Sequence, residues 1–247
     1  MRDSDVLNSD PRVIAALDFD TMDAARRFAG LVNPSTCRMK VGKELFTAVG
    51  PAVVEYLVGR NFDVFLDLKF HDIPNTVARA CRTAASLGVW MINVHALGGR
   101  RMLEAAGEAV ANSHLRPLIT AVTILTSLER EDLAEVGLHG DVPDHVVRLA
   151  RLVREAGLDG VVCSPREVSL LRQELPAGFL LVTPGIRPEG FSRDDQKRVM
   201  TPAEAIQVGA NYLVVGRPLT ESRDPVATLS LINNAINASL VGARGIG

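Results

Sequence analysis

The chain has few cysteines, no long apolar run and no excess of one charge. Cys37, Cys81 and Cys163 are its three cysteines, and their wide spacing argues against a disulfide framework or a structural zinc site. The formal net charge is −2, so no overall field attracts nucleic acid or an anionic membrane. No apolar run approaches the roughly 18 residues of a membrane helix, and the polar, acidic segment 1–11 is not a signal peptide. Together these features predict a cytoplasmic protein that binds neither nucleic acid nor membranes.

Strand-like and helix-like segments alternate along the chain. Short apolar runs predict strands at residues 13–17, 37–41, 62–68, 91–95, 118–123, 160–163, 180–183 and 212–215. Helical patterns lie between most of them, at residues 22–32, 44–60, 74–87, 101–112, 144–156, 166–175, 202–208 and 225–240. Eight such pairs predict an α/β fold, a single-domain (β/α)8 TIM barrel, with an open doubly wound sheet as the alternative. We expect one domain over 1–247, with flexible ends at 1–11 and 242–247.

Charged residues of both signs gather in segment 67–76, DLKFHDIPNT, at the end of the third predicted strand. The carboxyl ends of barrel strands carry the functional residues. Asp67 and Lys69 are two apart in a strand and therefore share a face, while Asp72 follows in the turn. A buried lysine between carboxylates stays protonated. The segment thus predicts a fixed array of charge with one proton donor; a structural ion-pair cluster is the alternative.

A second group of residues predicts a phosphate site. Gly216 and Arg217 follow the eighth predicted strand, where such barrels often bind phosphate, and backbone N–H groups with an arginine fork suit a dianion. The long polar segment 185–199 predicts a lid, from which Arg187 and Gln196 could close over the same phosphate. Taken singly, each of these two also fits a solvated loop residue.

The motif Asp-x-Lys-x-x-Asp followed by Ile73-Pro74-Asn75-Thr76 resembles that of the orotidine 5′-monophosphate decarboxylases. Further blocks of that family occur in order: Ala16-Leu17-Asp18, Lys40-Val41-Gly42, Asn93-Val94-His95-Ala96, Val122-Thr123-Ile124-Leu125-Thr126-Ser127, Thr183-Pro184-Gly185-Ile186-Arg187-Pro188 and Val215-Gly216-Arg217-Pro218. They span almost the whole chain and are most similar to the short, stand-alone bacterial form.

This resemblance implies a homodimeric barrel that uses no metal or organic cofactor. It would convert orotidine 5′-monophosphate to uridine 5′-monophosphate and CO2, the last step of de novo pyrimidine synthesis. By the resemblance, Lys69 is the proton donor, flanked by Asp67 and Asp72. Asp72 and Thr76 would reach across the dimer interface into the partner's site.

The resemblance also implies a set of substrate-binding residues. Asp18 and Lys40 would bind the ribose hydroxyls, and Thr126 would contact the pyrimidine. The phosphate would be held by Gln196, Gly216 and Arg217, with Arg187 in the closing lid.

Two other functions stay open at this point. Related sugar-phosphate decarboxylases carry the same Asp-x-Lys-x-x-Asp pattern and depend on Mg²⁺ to stabilise an enediolate. A non-catalytic barrel that binds a phosphate ligand would need Gly216 and Arg217, but not Lys69 with its two carboxylates.

Overall fold

The fold is a closed barrel of eight parallel strands, joined in the order β1 to β8. The computed structural model describes residues 10–188 and 200–244, with side chains in 10–188 and 200–240. The strands are β1 Val13–Leu17, β2 Arg38–Gly42, β3 Val64–Phe70, β4 Met91–His95, β5 Leu118–Val122, β6 Gly160–Val162, β7 Leu180–Thr183 and β8 Tyr212–Val215. The predicted (β/α)8 TIM barrel is therefore confirmed.

Helices surround the barrel and follow its strands. They are α1 Met22–Leu31, α2 Lys43–Val49, α3 Ala52–Gly59, α4 Pro74–Ser86, α5 Arg100–Val110, α6 Arg130–Glu135, α7 Val142–Glu155, α8 Val168–Glu174, α9 Pro202–Gln207, α10 Arg217–Thr220 and α11 Pro225–Arg244. Their apolar faces pack on the outward side chains of the strands and form the main core. Within the described ranges, no helix is both long and apolar enough to cross a membrane.

Several element boundaries differ from the sequence prediction. The single helix predicted over 44–60 is two helices, because Gly50 adopts a φ of +67° and Pro51 begins a new helix. The short helices α6 and α10 were not predicted, and α10 begins directly after Gly216. β3 extends to Phe70, two residues beyond the predicted end.

The barrel interior is apolar at mid-height and closed by an arginine at the amino-terminal end of the strands. Phe65 and Met91 belong to a small cluster inside the barrel. At the start of β2, Arg38 is 5% exposed, and its guanidinium lies 4.1 Å from the ring centre of Trp90 and 5.0 Å from that of Tyr212. This arginine closes one end and leaves the carboxyl ends of the strands open for a site.

Candidate active site

Asp67 and Lys69 form the closest ion pair of the open end. The Nζ of Lys69 lies 2.5 Å from Oδ1 of Asp67, and both side chains line a cavity of about 500 Å³. Phe65 lines the same cavity, so alternate residues of β3 face it, as the strand pattern predicted. Their placement agrees with the sequence expectation.

The backbone of β3 is irregular at this pair. Lys69 has a φ of +53°, and the pairing of β3 with β4 shifts between Leu66 and Phe70. A non-glycine residue in the left-handed region costs about 1–3 kcal/mol and persists where surrounding contacts determine it. The ammonium is thus presented from a bulged strand end rather than from a regular one.

Lys40 and Asp18 continue the pair into an alternating array of four charges. The buried Nζ of Lys40 lies 3.1 Å from Oδ1 of Asp18 and 3.4 Å from Oδ2 of Asp67. The order of charges is therefore Asp18, Lys40, Asp67 and Lys69, and all four side chains line the cavity. Each buried charge in the row has a partner of opposite sign, which offsets its loss of hydration.

The array keeps its two innermost groups ionised. Burial favours the neutral form of Asp67, but the ammonium groups of Lys40 and Lys69 outweigh it and lower the pKa of Asp67. Burial also favours the neutral form of Lys40, but Asp67 and Asp18 outweigh it and raise the pKa of Lys40. The floor of the cavity is therefore a preorganised set of charges rather than a neutral surface.

Two glycines make room for this array. A Cβ on Gly42 would lie 3.0 Å from Nζ of Lys40 and 3.6 Å from Oδ1 of Asp18. A Cβ on Gly216 would lie 3.4 Å from Oδ2 of Asp18. Glycine at these positions lets the charged ends occupy their places without crowding.

Asn93 is a residue of the site that the sequence reasoning did not single out. Its side chain is fully buried on β4. Its Nδ2 donates to Oδ1 of Asp67 at 2.6 Å, and its Oδ1 accepts from the backbone N–H of Lys69 at 2.8 Å. In the sequence, the alternation of Met91, Asn93 and His95 along a short strand indicates that all three side chains share one face, and this pattern could have pointed to Asn93.

The predicted binding residues lie around the same cavity. Thr126, Arg187, Gly216 and Arg217 all contribute to its lining. Arg187 is buried, and its Nη1 donates to the carbonyl of Ile186 at 3.1 Å. It is therefore part of the cavity wall and not a solvated loop residue. Gln196 lies outside the described residues.

Asp72 and Thr76 do not line the cavity of their own chain. Asp72 is exposed, and its Oδ1 accepts from the amide of Ile73 at 2.6 Å. The side chain of Ile73 is also exposed, at 67%, just before α4. One chain thus brings Asp67 to Lys69 but leaves Asp72 on its surface.

His95 lies beside the array and stacks on His71, with ring centres 5.3 Å apart. Burial, with the neighbouring charges of His71, Lys69 and Lys43, lowers the pKa of His95 from 6.5 to about 4. It is therefore neutral at pH 7, and its Nδ1 accepts from the amide of Leu97 at 3.5 Å.

Over residues 10–188 and 200–240, no group of three or more histidine, cysteine or acidic side chains could hold a metal ion. The three cysteines, all in described positions, are buried and form no disulfide.

The chain is similar to known proteins over almost its whole length. The family model "Orotidine 5'-phosphate decarboxylase / HUMPS family" matches residues 11–232. Proteins named orotidine 5'-phosphate decarboxylase from Nitrosospira multiformis and Hydrogenovibrio crunogenus are 59% and 58% identical. Each alignment covers 92% of this chain, with 95% and 96% of the respective relatives.

A solved structure carries the same name. The crystal structure of orotidine 5'-phosphate decarboxylase from Lactobacillus acidophilus has a TM-score of 0.83 and 37% identity. It covers 92% of this chain and is itself covered completely, at 100%. The closed barrel, the charged strand ends and these similarities agree, and the chain belongs to the orotidine 5'-phosphate decarboxylase family of enzymes.

Proposed function

We propose that this protein converts orotidine 5′-monophosphate to uridine 5′-monophosphate and CO2, the last step of de novo pyrimidine synthesis, as a cytoplasmic homodimer without a cofactor. One observation carries the proposal beyond family membership: Nζ of Lys69 lies at the cavity wall, 2.5 Å from Asp67, within an alternating row of charges. A sensor of phosphate ligands has no use for such a row. The relatives' names supply the substrate class.

The chemistry needs a cation beside one carbon atom. When the bond between C6 and the carboxylate breaks, its electron pair stays on C6, where no adjacent π-system is aligned to accept it. The ammonium of Lys69 stabilises this charge electrostatically and then transfers a proton to C6. Carbon dioxide leaves, C6 carries the new hydrogen, and the neutral lysine regains a proton from water.

Asp67 has two roles under this proposal. It orients Lys69 through the 2.5 Å contact, and it would lie near the departing carboxylate of the substrate. Its lowered pKa means that it remains an anion there. A negative group in this place favours departure of a second negative group as neutral CO2, in addition to holding the proton donor.

The other residues of the predicted site would bind the parts of the nucleotide that do not react. Asp18 and Lys40 would bind the ribose hydroxyls, and Thr126 would contact the pyrimidine. Gly216, Arg217, Arg187 and Gln196 would hold the phosphate. Binding energy from the phosphate would fix the ring against Lys69 and so lower the barrier at a distance.

Dimerisation would complete the charge array. Asp72 and Thr76 are proposed to enter the partner's cavity and place a second carboxylate beside Lys69. The exposed position of Asp72 and the 67% exposure of Ile73 support this arrangement, because such a surface would be covered in a dimer.

The function is tested by incubating the purified protein with orotidine 5′-monophosphate, with and without EDTA, and measuring uridine 5′-monophosphate and CO2. Equal, rapid turnover in both arms is expected. Loss of turnover with EDTA would contradict a reaction without a metal cofactor, and absence of turnover in both arms would contradict the proposed substrate. Orotidine without phosphate is the matched control and is expected to react far more slowly; equal rates would contradict the role given to Gly216 and Arg217.

A further inference from the structure

The side chain of Asn93 contacts both members of the Asp67–Lys69 pair. It donates from Nδ2 to Oδ1 of Asp67 at 2.6 Å and accepts at Oδ1 from the amide of Lys69 at 2.8 Å. The carboxylate can only accept and the amide can only donate, so the two contacts determine the orientation of the Asn93 amide. The side chain of Asn93 is 0% exposed, so bulk solvent does not reach these bonds.

The contact with Lys69 repairs a break in the sheet. The ladder between β3 and β4 is regular at Phe65 and Leu66 and resumes only at Phe70. In between, Lys69 turns to a φ of +53°. Its backbone N–H donates to Oδ1 of Asn93 in place of a backbone carbonyl, which satisfies a group that a bulge otherwise leaves unpaired.

The contact with Asp67 holds the other half of the pair. Oδ1 of Asp67 receives both Nδ2 of Asn93 and Nζ of Lys69. The carboxylate therefore cannot rotate without losing a charge-assisted bond, and its side chain is only 13% exposed. Asn93 does not line the cavity, so it acts through these two residues and not on the substrate.

We propose that Asn93 is a positioning residue, whose one amide group fixes the bulged backbone of Lys69 and the carboxylate of Asp67 together and so aims the ammonium into the cavity. The expected loss of kcat when Asn93 is replaced rests on the proposed decarboxylation. The expected movement of Lys69 and Asp67 does not rest on it, and the two effects are measured separately.

The experiment compares three variants with the wild type. Asn93→Ala removes both contacts. Asn93→Asp keeps the acceptor for the Lys69 amide in a side chain of the same size, but replaces the donor to Asp67 with a carboxylate oxygen. Thr120→Val is the matched control: Thr120 is the register partner of Asn93 on β5 and is equally buried, and its hydroxyl has no hydrogen-bond partner among the described residues.

Asn93→Ala is expected to lower kcat by about 10- to 100-fold, the range known for hydrogen-bond partners that orient the ligands of a metal. Its KM should change little, because Asn93 does not reach the substrate. Thr120→Val should retain the wild-type kcat. A kcat for Asn93→Ala equal to that of Thr120→Val would overturn the positioning role.

Asn93→Asp gives a readout that a general packing defect would not produce. Two adjacent carboxyl groups share a proton at acidic pH, and the protonated one can donate to the other. The ratio of Asn93→Asp activity to wild-type activity should therefore increase as the pH falls. The ratio should decrease as the pH rises and the shared proton is lost. A loss by the same factor at every pH would contradict the inference.

A crystal structure of Asn93→Ala separates this inference from the proposed function. Lys69 is expected to leave the positive-φ conformation or to draw Nζ away from Asp67. If it stays in place, the inference fails even though the wild type decarboxylates the nucleotide. If Lys69 moves but the wild type shows no turnover, the proposed function fails and the positioning role stands.

Discussion

Lys40 and Asp67 come from neighbouring strands, and the Nζ of one lies 3.4 Å from Oδ2 of the other in a buried setting. Lys40 contacts Oδ2 of Asp67 while Lys69 contacts Oδ1, so each carboxylate oxygen of Asp67 has a cation beside it. Each partner keeps the other charged, since Asp67 raises the pKa of Lys40 and Lys40 lowers that of Asp67. A displacement of the Lys40 ammonium should therefore change the position or charge of Asp67 and, through Asp67, the position of Lys69.

Gly42→Ala tests this dependence without removing a charge. The new Cβ would lie 3.0 Å from Nζ of Lys40, closer than an ordinary contact, so the ammonium must shift. We expect kcat/KM for orotidine 5′-monophosphate to fall about tenfold, because small displacements in a site are costly. The matched control is Gly30→Ala in α1, where a Cβ meets no atom within 4 Å. Equal kcat/KM values for the two variants would contradict the prediction.

His95 should make stability depend on pH between about 4 and 6.5. Its folded pKa is below its unfolded value, so the unfolded chain binds more protons in that window. The contribution is complete above pH 6.5 and is lost as the pH falls towards 4. Urea unfolding at several pH values should show a weaker pH dependence for His95→Gln than for wild type. Identical slopes would show that His95 is not the group responsible.

Arg38→Met should destabilise the barrel without affecting the site. The guanidinium pairs with Asp10 at 2.9 Å and Asp63 at 3.0 Å and lies over the rings of Trp90 and Tyr212. Both carboxylates are about half exposed and regain water when the arginine is lost, so we expect a loss of about 1–3 kcal/mol in the free energy of unfolding. Urea denaturation measures the loss, and kcat should be unchanged.

Arg60→Met is the control for that experiment. Arg60 also lies over an aromatic ring, that of Tyr56 at 5.8 Å, but on the exposed surface. Its replacement should change the free energy of unfolding by no more than about 0.5 kcal/mol. If the two variants lose the same free energy of unfolding, the contacts of Arg38 at the closed end of the barrel contribute no more to stability than those of a surface arginine.

Mixed dimers test whether Asp72 serves the partner. Lys69→Ala and Asp72→Asn should each be inactive alone. After subunit exchange, half of the dimers should be mixed, and each mixed dimer should have one intact site, giving about a quarter of the wild-type activity. Activity of the mixture measured before and after exchange reports the recovery. No recovery, with exchange demonstrated by mass spectrometry, would contradict a shared site.

The fold could be predicted because alternating apolar strands and amphipathic helices reflect burial, which is local in sequence. The error over 44–60 has a local cause as well: Gly50 and Pro51 break the helix, and their signal was overlooked. The helix α6 is short and depends on its cap at Glu129 rather than on an apolar stripe. Its weak periodicity left nothing to detect.

The sequence predicts those site residues that lie at the carboxyl ends of the strands, where barrels carry their functional groups. Asp18, Lys40, Asp67 and Lys69 follow from this rule directly, and the structure brings them into one row. Asn93 was missed because its importance comes from a break in the neighbouring strand, which only the paired sheet reveals. The position of Asp72 depends on a second chain, so one sequence and one subunit leave its role a prediction.

The role of Lys69 as proton donor is tested most directly by the turnover of orotidine 5′-monophosphate by wild type, Lys69→Ala and Lys43→Ala. Lys43 is an exposed lysine at the start of α2 that does not line the cavity, and it serves as the control. Rapid conversion is expected for wild type and for Lys43→Ala. For Lys69→Ala we expect a loss of about 10²- to 10⁴-fold or more, with an unchanged circular dichroism spectrum. A folded Lys69→Ala variant with wild-type kcat would contradict the role of Lys69 as proton donor.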